Sequence, residues 1–133
     1  MHEWALAEAV TSTALELSKE KNVKEITELR IKMGELQQIE MEIFEFALSE
    51  LTKNYDILKK TKIKIKMEKA IFRCNVCGHE WSFAKDKLTS EESESIHFVP
   101  EIVHAYIRCP KCNSPDFEVI KGRGVWLDSI EVR

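Results

Sequence analysis

The chain has 133 residues and a mass of 15.5 kDa, room for one ordinary domain or for a small one carrying a smaller module. Twenty Lys and Arg stand against 23 Asp and Glu, a net charge of −3 and a pI near 5.9 that exclude a general nucleic-acid binder with a basic face. The longest apolar run, Trp4 to Ala7, is too short to cross a bilayer. Met1-His2-Glu3 does not open like a signal peptide, so a cytoplasmic chain with no membrane partner is expected.

The first predicted element is a helix over Glu3 to Lys21, with Leu6, Val10, Thr13, Ala14 and Leu17 on one face. Asn22 is its stop, because Asn tolerates the left-handed conformation at a helix end. From Ile26 to Met33 the period becomes two: Leu29, Ile31 and Met33 alternate with Glu28, Arg30 and Lys32, and Gly34 ends the strand. A second helix is predicted over Glu40 to Lys53, turning Ile43, Phe44, Ala47, Leu48 and Leu51 inward. Thr61 to Glu68 is the cleanest strand, with Ile63, Ile65 and Met67 opposite Lys62, Lys64, Lys66 and Glu68; the lysines read as a solvated sheet face. A last strand fits Val125 to Val132, where a bulge would reconcile Val125 and Leu127 with Ile130 and Val132.

Helix, strand, helix, strand and strand predict an α+β fold of two helices on a small three-stranded sheet, formed by residues 1–68 and 124–133. Residues 69–123 then read as an insertion, since they hold all four cysteines, all three prolines and three of the four histidines.

Within it, Cys74-Asn-Val-Cys77-Gly78 and Cys109-Pro-Lys-Cys112-Asn113 are two metal knuckles. Two intervening residues let both sulfurs reach one ion, and the residue after the second cysteine needs positive φ, available to Gly78 freely and to Asn113 at low cost. In a reducing compartment four such thiols point to a metal rather than to disulfides. Cys74, Cys77, Cys109 and Cys112 favour a closed tetrahedral Zn²⁺ site of structural type in a zinc-ribbon-like module; iron in a rubredoxin-like site is chemically open to the same ligands. Four thiolates leave no coordination position for hydrolysis, so no enzyme is expected. The module's large apolar residues are few (Ile71, Phe72, Trp81, Phe83, Phe117), and metal removal is expected to unfold it. Of the 31 residues between the knuckles, Lys85 to Ser95 read as a solvated loop, and Ile96 to Tyr106 as a segment that packs. His79 reads as a polar residue of its knuckle, and His104 as packed and hydrogen-bonded.

The amino terminus admits two readings. Met1 and His2 can be a frayed, solvated end, the usual state of such residues. They can also chelate: the α-amine and the amide nitrogen of His2 close a five-membered ring, and the amide with the imidazole Nδ1 a six-membered one. Three nitrogens so arranged suit square-planar Ni²⁺ or Cu²⁺ and leave a fourth corner open. A zinc-ribbon adaptor that binds protein or RNA without any nickel role is the competing assignment for the whole chain.

Together these features resemble the HypA family of nickel-hydrogenase maturation proteins. The residues that carry the resemblance are Met1-His2-Glu3, Ala5-Leu6, Met33-Gly34-Glu35-Leu36, the two knuckles and Ile130-Glu131-Val132. It implies a nickel metallochaperone that cooperates with the GTPase HypB to deliver Ni²⁺ to the large subunit of NiFe-hydrogenase, with a structural zinc in its inserted module. Met1 and His2 would then be nickel donors, Glu3 a backbone donor or a partner beside them, and the four cysteines the zinc ligands. The long spacer resembles archaeal members, in which an Ile-His-Phe element supplies a further ligand. Ile96-His97-Phe98 matches it, making His97 the candidate for the open corner.

Overall fold

The computed structural model describes residues 2–84 and 87–133 of the chain, which divides into two compact units. The first comprises the chain up to Lys32, Ile39–Lys66 and Val125–Arg133; the second comprises Met33–Gln38 and Met67–Gly124.

In the first unit, helices α1 (His2–Glu20) and α2 (Met41–Thr52) accompany a sheet of strands β1 (Ile26–Gly34), β2 (Lys62–Glu68) and β6 (Val125–Val132), in the order β2-β1-β6. Central β1 buries Leu29, Ile31 and Met33, the alternation read from the sequence, and Asn22 takes the left-handed φ of 53° after α1. Ala14, Ile26, Leu29 and Leu58 form its apolar core with Leu15, Val23, Ile57, Leu127 and Ile130 packed around them. α1 turns slightly differently from the expected face. Its buried row is Ala7, Val10, Thr11, Ala14 and Ser18, small side chains that let the helix approach its neighbours, while Thr13 is exposed and donates to the Ala9 carbonyl. On α2, Phe44, Ala47 and Leu48 are buried as expected, but Ile43 lies 36% exposed. On β2, Met67 is also exposed, because this strand is a sheet edge with a neighbour on one side only. Lys62, Lys64 and Lys66 point to solvent, Lys64 Nζ lying 3.2 Å from Glu28.

The second unit carries a sheet of its own, order β4-β3-β5, from β3 (Ile71–Cys74), β4 (Glu80–Ser82) and β5 (Phe117–Lys121), all antiparallel. Residues 87–95 are not the solvated loop that their composition suggests, and Lys85 and Asp86 lie outside the described residues. Helix α3 (Ser90–Phe98) begins here because Thr89 Oγ1 accepts the Glu92 amide at 3.1 Å while Glu92 Oε1 accepts the Thr89 amide at 2.9 Å. This reciprocal cap satisfies two donors that a helix start otherwise leaves orphaned. A short turn, Pro100–Ile102, and helix α4 (Val103–Tyr106) follow. The unit has a core of Leu36, Ala70, Phe72, Phe83, Ile96, Val103 and Phe117, larger than the residues around the knuckles alone promised. Phe72 sits at its centre, its ring 5.1 Å from Phe117 and 5.5 Å from Trp81. Gly34 is where two backbones meet: its amide donates to the Gly124 carbonyl at 2.7 Å, and a Cβ there would collide with the Gly122 carbonyl.

Candidate metal sites

Both knuckles are built on one hydrogen-bond plan. The first cysteine's amide donates to the carbonyl five residues on (Cys74 to His79, Cys109 to Ser114, both 2.9 Å), and its carbonyl accepts from the amide four residues on (Gly78 at 3.0 Å, Asn113 at 2.8 Å). That closure requires positive φ at the fourth residue, and Gly78 and Asn113 have φ of 78° and 64°. The Val76 and Cys77 amides point at Cys74 Sγ from 3.3 and 3.4 Å. Between the knuckles, the Asn75 amide donates to the Asp116 carbonyl at 2.9 Å and its side chain to the Asp116 carboxylate at 3.0 Å, a brace the sequence did not advertise. A Cβ on Gly78 meets no atom within 4 Å, so only φ restricts this position. Gly78→Asn is therefore expected to keep full zinc content with a stability loss below about 1 kcal/mol, whereas β-branched Gly78→Val loses more. Thermal unfolding of the two variants checks the difference.

These turns bring Cys74 Sγ to 3.5 Å from Cys112 Sγ and Cys77 Sγ to 3.6 Å from Cys109 Sγ, with all four sulfurs within 4.8 Å of one another. Disulfides need about 2.05 Å, while the edge of a tetrahedron with Zn–S of about 2.3 Å is about 3.8 Å. The donor set thus fits zinc. Cys74 and Cys109 are buried and Cys77 and Cys112 exposed, so each knuckle presents one inner and one outer thiolate. The Cys77 and Val76 amides hold the Cys74 thiol down at about 7 against burial. At Cys109, burial pushes up but is outweighed by the Cys112 and Lys111 amides, leaving the thiol below its usual value. Cys112 is pushed up to about 12: the Ser114 amide favours its thiolate, but burial and the neighbouring sulfurs oppose it more. Four thiolates at this spacing repel, and a divalent cation removes the repulsion. Cys74 pairs across the sheet with Phe117, which ties the metal end to the aromatic core. His79 stacks parallel to Trp81, and His104, although exposed, lies 4.2 Å from the Phe117 ring with Nδ1 3.4 Å from the Pro115 carbonyl.

Of the residues singled out at the amino terminus, Met1 lies outside the described residues and His2 is the first residue of α1. Glu3 is 4% exposed, and its Oε2 accepts the Glu40 amide at 3.1 Å, linking the first turn of α1 to the start of α2. His97 is buried in the last turn of α3, with Nδ1 2.6 Å from the Gln37 carbonyl oxygen and its ring edge-on to Phe98.

The family model described as hydrogenase/urease nickel incorporation, metallochaperone, matches residues 1–132. The chain belongs to the HypA family. Similar curated HypA proteins are those of Pyrococcus abyssi, 47% identical, and Pyrococcus horikoshii, 44% identical, each over 134 aligned positions covering 99% of this chain and 96% of the relative. The solution structure of the nickel metallochaperone HypA from Helicobacter pylori superposes with a TM-score of 0.66 at 21% identity, covering 99% of this chain and 97% of that one, and shows the shared HypA fold. As a HypA protein the chain is a nickel metallochaperone with a zinc site, and not an enzyme. No helix among the described residues is long and apolar enough to cross a membrane.

Proposed function

We propose that this chain captures Ni²⁺ at its amino terminus in the cytoplasm and passes it on for maturation of a NiFe-hydrogenase, with HypB and the hydrogenase large subunit as its partners. The observation that carries the reading is the family match from residue 1 onward, which takes in the Met1-His2-Glu3 opening whose chemistry suits nickel. Met1 contributes its amine, His2 its amide and imidazole nitrogens, and His97 the fourth donor. Nitrogen donors of this kind favour Ni²⁺ over harder ions. Glu3 acts beside them: its carboxylate is engaged by the Glu40 amide, so it anchors the turn that carries the donors. The zinc site is scaffolding, because four thiolates saturate the metal and leave no position for cargo.

Handover follows from a small ligand set. A site of few donors binds well and lets go when one of them is withdrawn by a partner. The test is metal content of the purified chain with its native terminus, with and without nickel in the medium. One zinc plus one nickel per chain is expected when nickel is supplied. Zinc alone under that condition contradicts the reading, and zinc alone together with salt-dependent RNA binding would indicate an adaptor instead.

A further inference from the structure

The turn that follows β1 is tied down residue by residue, all within the second unit. Glu35 Oε1 accepts the Ala70 amide at 2.9 Å, the Leu36 amide donates to the Gly122 carbonyl at 2.9 Å, and Gln37 Oε1 accepts the Gly124 amide at 3.3 Å. Gln38 closes the turn at φ 51° and ψ 43°, a left-handed conformation that residues other than Gly, Asn and Asp rarely adopt. Its Oε1 is buried without a hydrogen-bond partner among the described residues. A strained backbone and an orphaned acceptor mark a turn held by its surroundings in a shape it would not choose alone. What that shape achieves is to present the Gln37 carbonyl to His97 Nδ1 at 2.6 Å.

A carbonyl oxygen only accepts hydrogen bonds. Nδ1 of His97 therefore carries a proton, and in the neutral form of such a ring the lone pair lies on Nε2. We propose that the Gln37 carbonyl is a positioning group for nickel binding: it locks His97 in the Nδ1–H tautomer and fixes its ring plane, making Nε2 the atom this histidine offers to Ni²⁺. The proposal rests on the reading of His97 as a nickel donor. His104 is an internal contrast, being exposed with Nδ1 3.4 Å from its carbonyl partner and therefore not locked.

The experiment is two-bond ¹H–¹⁵N correlation NMR of the zinc-loaded, nickel-free full chain at about pH 8, above the ordinary imidazole value. His97 is expected to show a protonated Nδ1 and an unprotonated, pyridine-type Nε2. An Nε2–H tautomer, or a fast average of both, overturns the proposal whatever nickel does. Gln38→Val, whose branched side chain disfavours the left-handed turn, is then expected to lose the single-tautomer signature. It should also weaken Ni²⁺ binding about ten- to hundredfold at unchanged zinc content. Gln38→Gly, which accepts the same φ, is expected to retain both properties. Equal nickel affinity in the Val and Gly variants, with both folded by zinc content and circular dichroism, also overturns the proposal. If His97→Ala leaves nickel affinity and absorption unchanged, the underlying assignment of His97 fails instead, even with the tautomer as stated.

Discussion

His2→Ala is expected to abolish Ni²⁺ binding in calorimetry while leaving zinc content and the far-ultraviolet spectrum as they are in the parent chain. The substitution removes the imidazole that closes the six-membered ring, and with it the incentive for the neighbouring amide to deprotonate. One ligand lost thus becomes two. Position 2 is the first residue of α1, so a substitution there leaves the later turns of the helix with their own hydrogen bonds. Alanine is also a good helix former, so α1 loses nothing in propensity. A variant that still binds nickel with parental affinity would remove the amino terminus from the account.

The second large effect is expected at the knuckles. Cys74→Ser replaces the buried thiolate that receives the Val76 and Cys77 amides and lies 3.5 Å from Cys112 Sγ. Structural zinc contributes on the order of 10 kcal/mol to the folding of small modules, so the variant should purify without zinc and lose the ordered knuckles. Two features limit the damage. The aromatic cluster around Phe72 and the capped helix α3 belong to the second unit but not to the metal, and the first unit has its own core. Elemental analysis and thermal melting should therefore show zinc lost, an early transition assigned to the second unit, and helical signal retained from α1 and α2. A zinc-replete variant with an unshifted melt contradicts this.

Acid acts in the same direction. In the metal-free cluster Cys74 is ionised only above about 7, and Cys112 holds its proton to about 12, so zinc uptake must displace protons. Zinc affinity then falls as pH falls, because protons compete for the same sulfurs.

Much of the metal chemistry was legible because it depends on side-chain type and spacing. Two Cys-x-x-Cys turns, with Gly78 and Asn113 behind them, specify the closure, and the structure repeats it bond for bond. The alternation in Leu29, Ile31 and Met33 likewise specifies a buried face. Other parts depended on information a pattern does not hold. Residues 87–95 are polar enough to read as a loop, yet Thr89 and Glu92 at capping-box spacing are a helix start that composition masks. Met67 continues the strand alternation, but whether a strand lies at an edge follows from topology, and periodicity is blind to that. The Gln37 carbonyl had no sequence signal, since every residue carries one. Only its left-handed neighbour Gln38 and its distance to His97 single it out. Glu3 was noticed for its place beside His2, whereas its bond to the Glu40 amide belongs to the fold.

In the proposed function, cargo nickel is held by the free amine of Met1. Calorimetric titration with Ni²⁺ of the native chain against the same chain extended by one residue before Met1 tests it directly, with zinc content matched. Tight one-to-one binding is expected in the native chain and its loss in the extended one, where the amine has become an amide and His2 has moved out of chelate position. Equal nickel affinity in the two chains would contradict it.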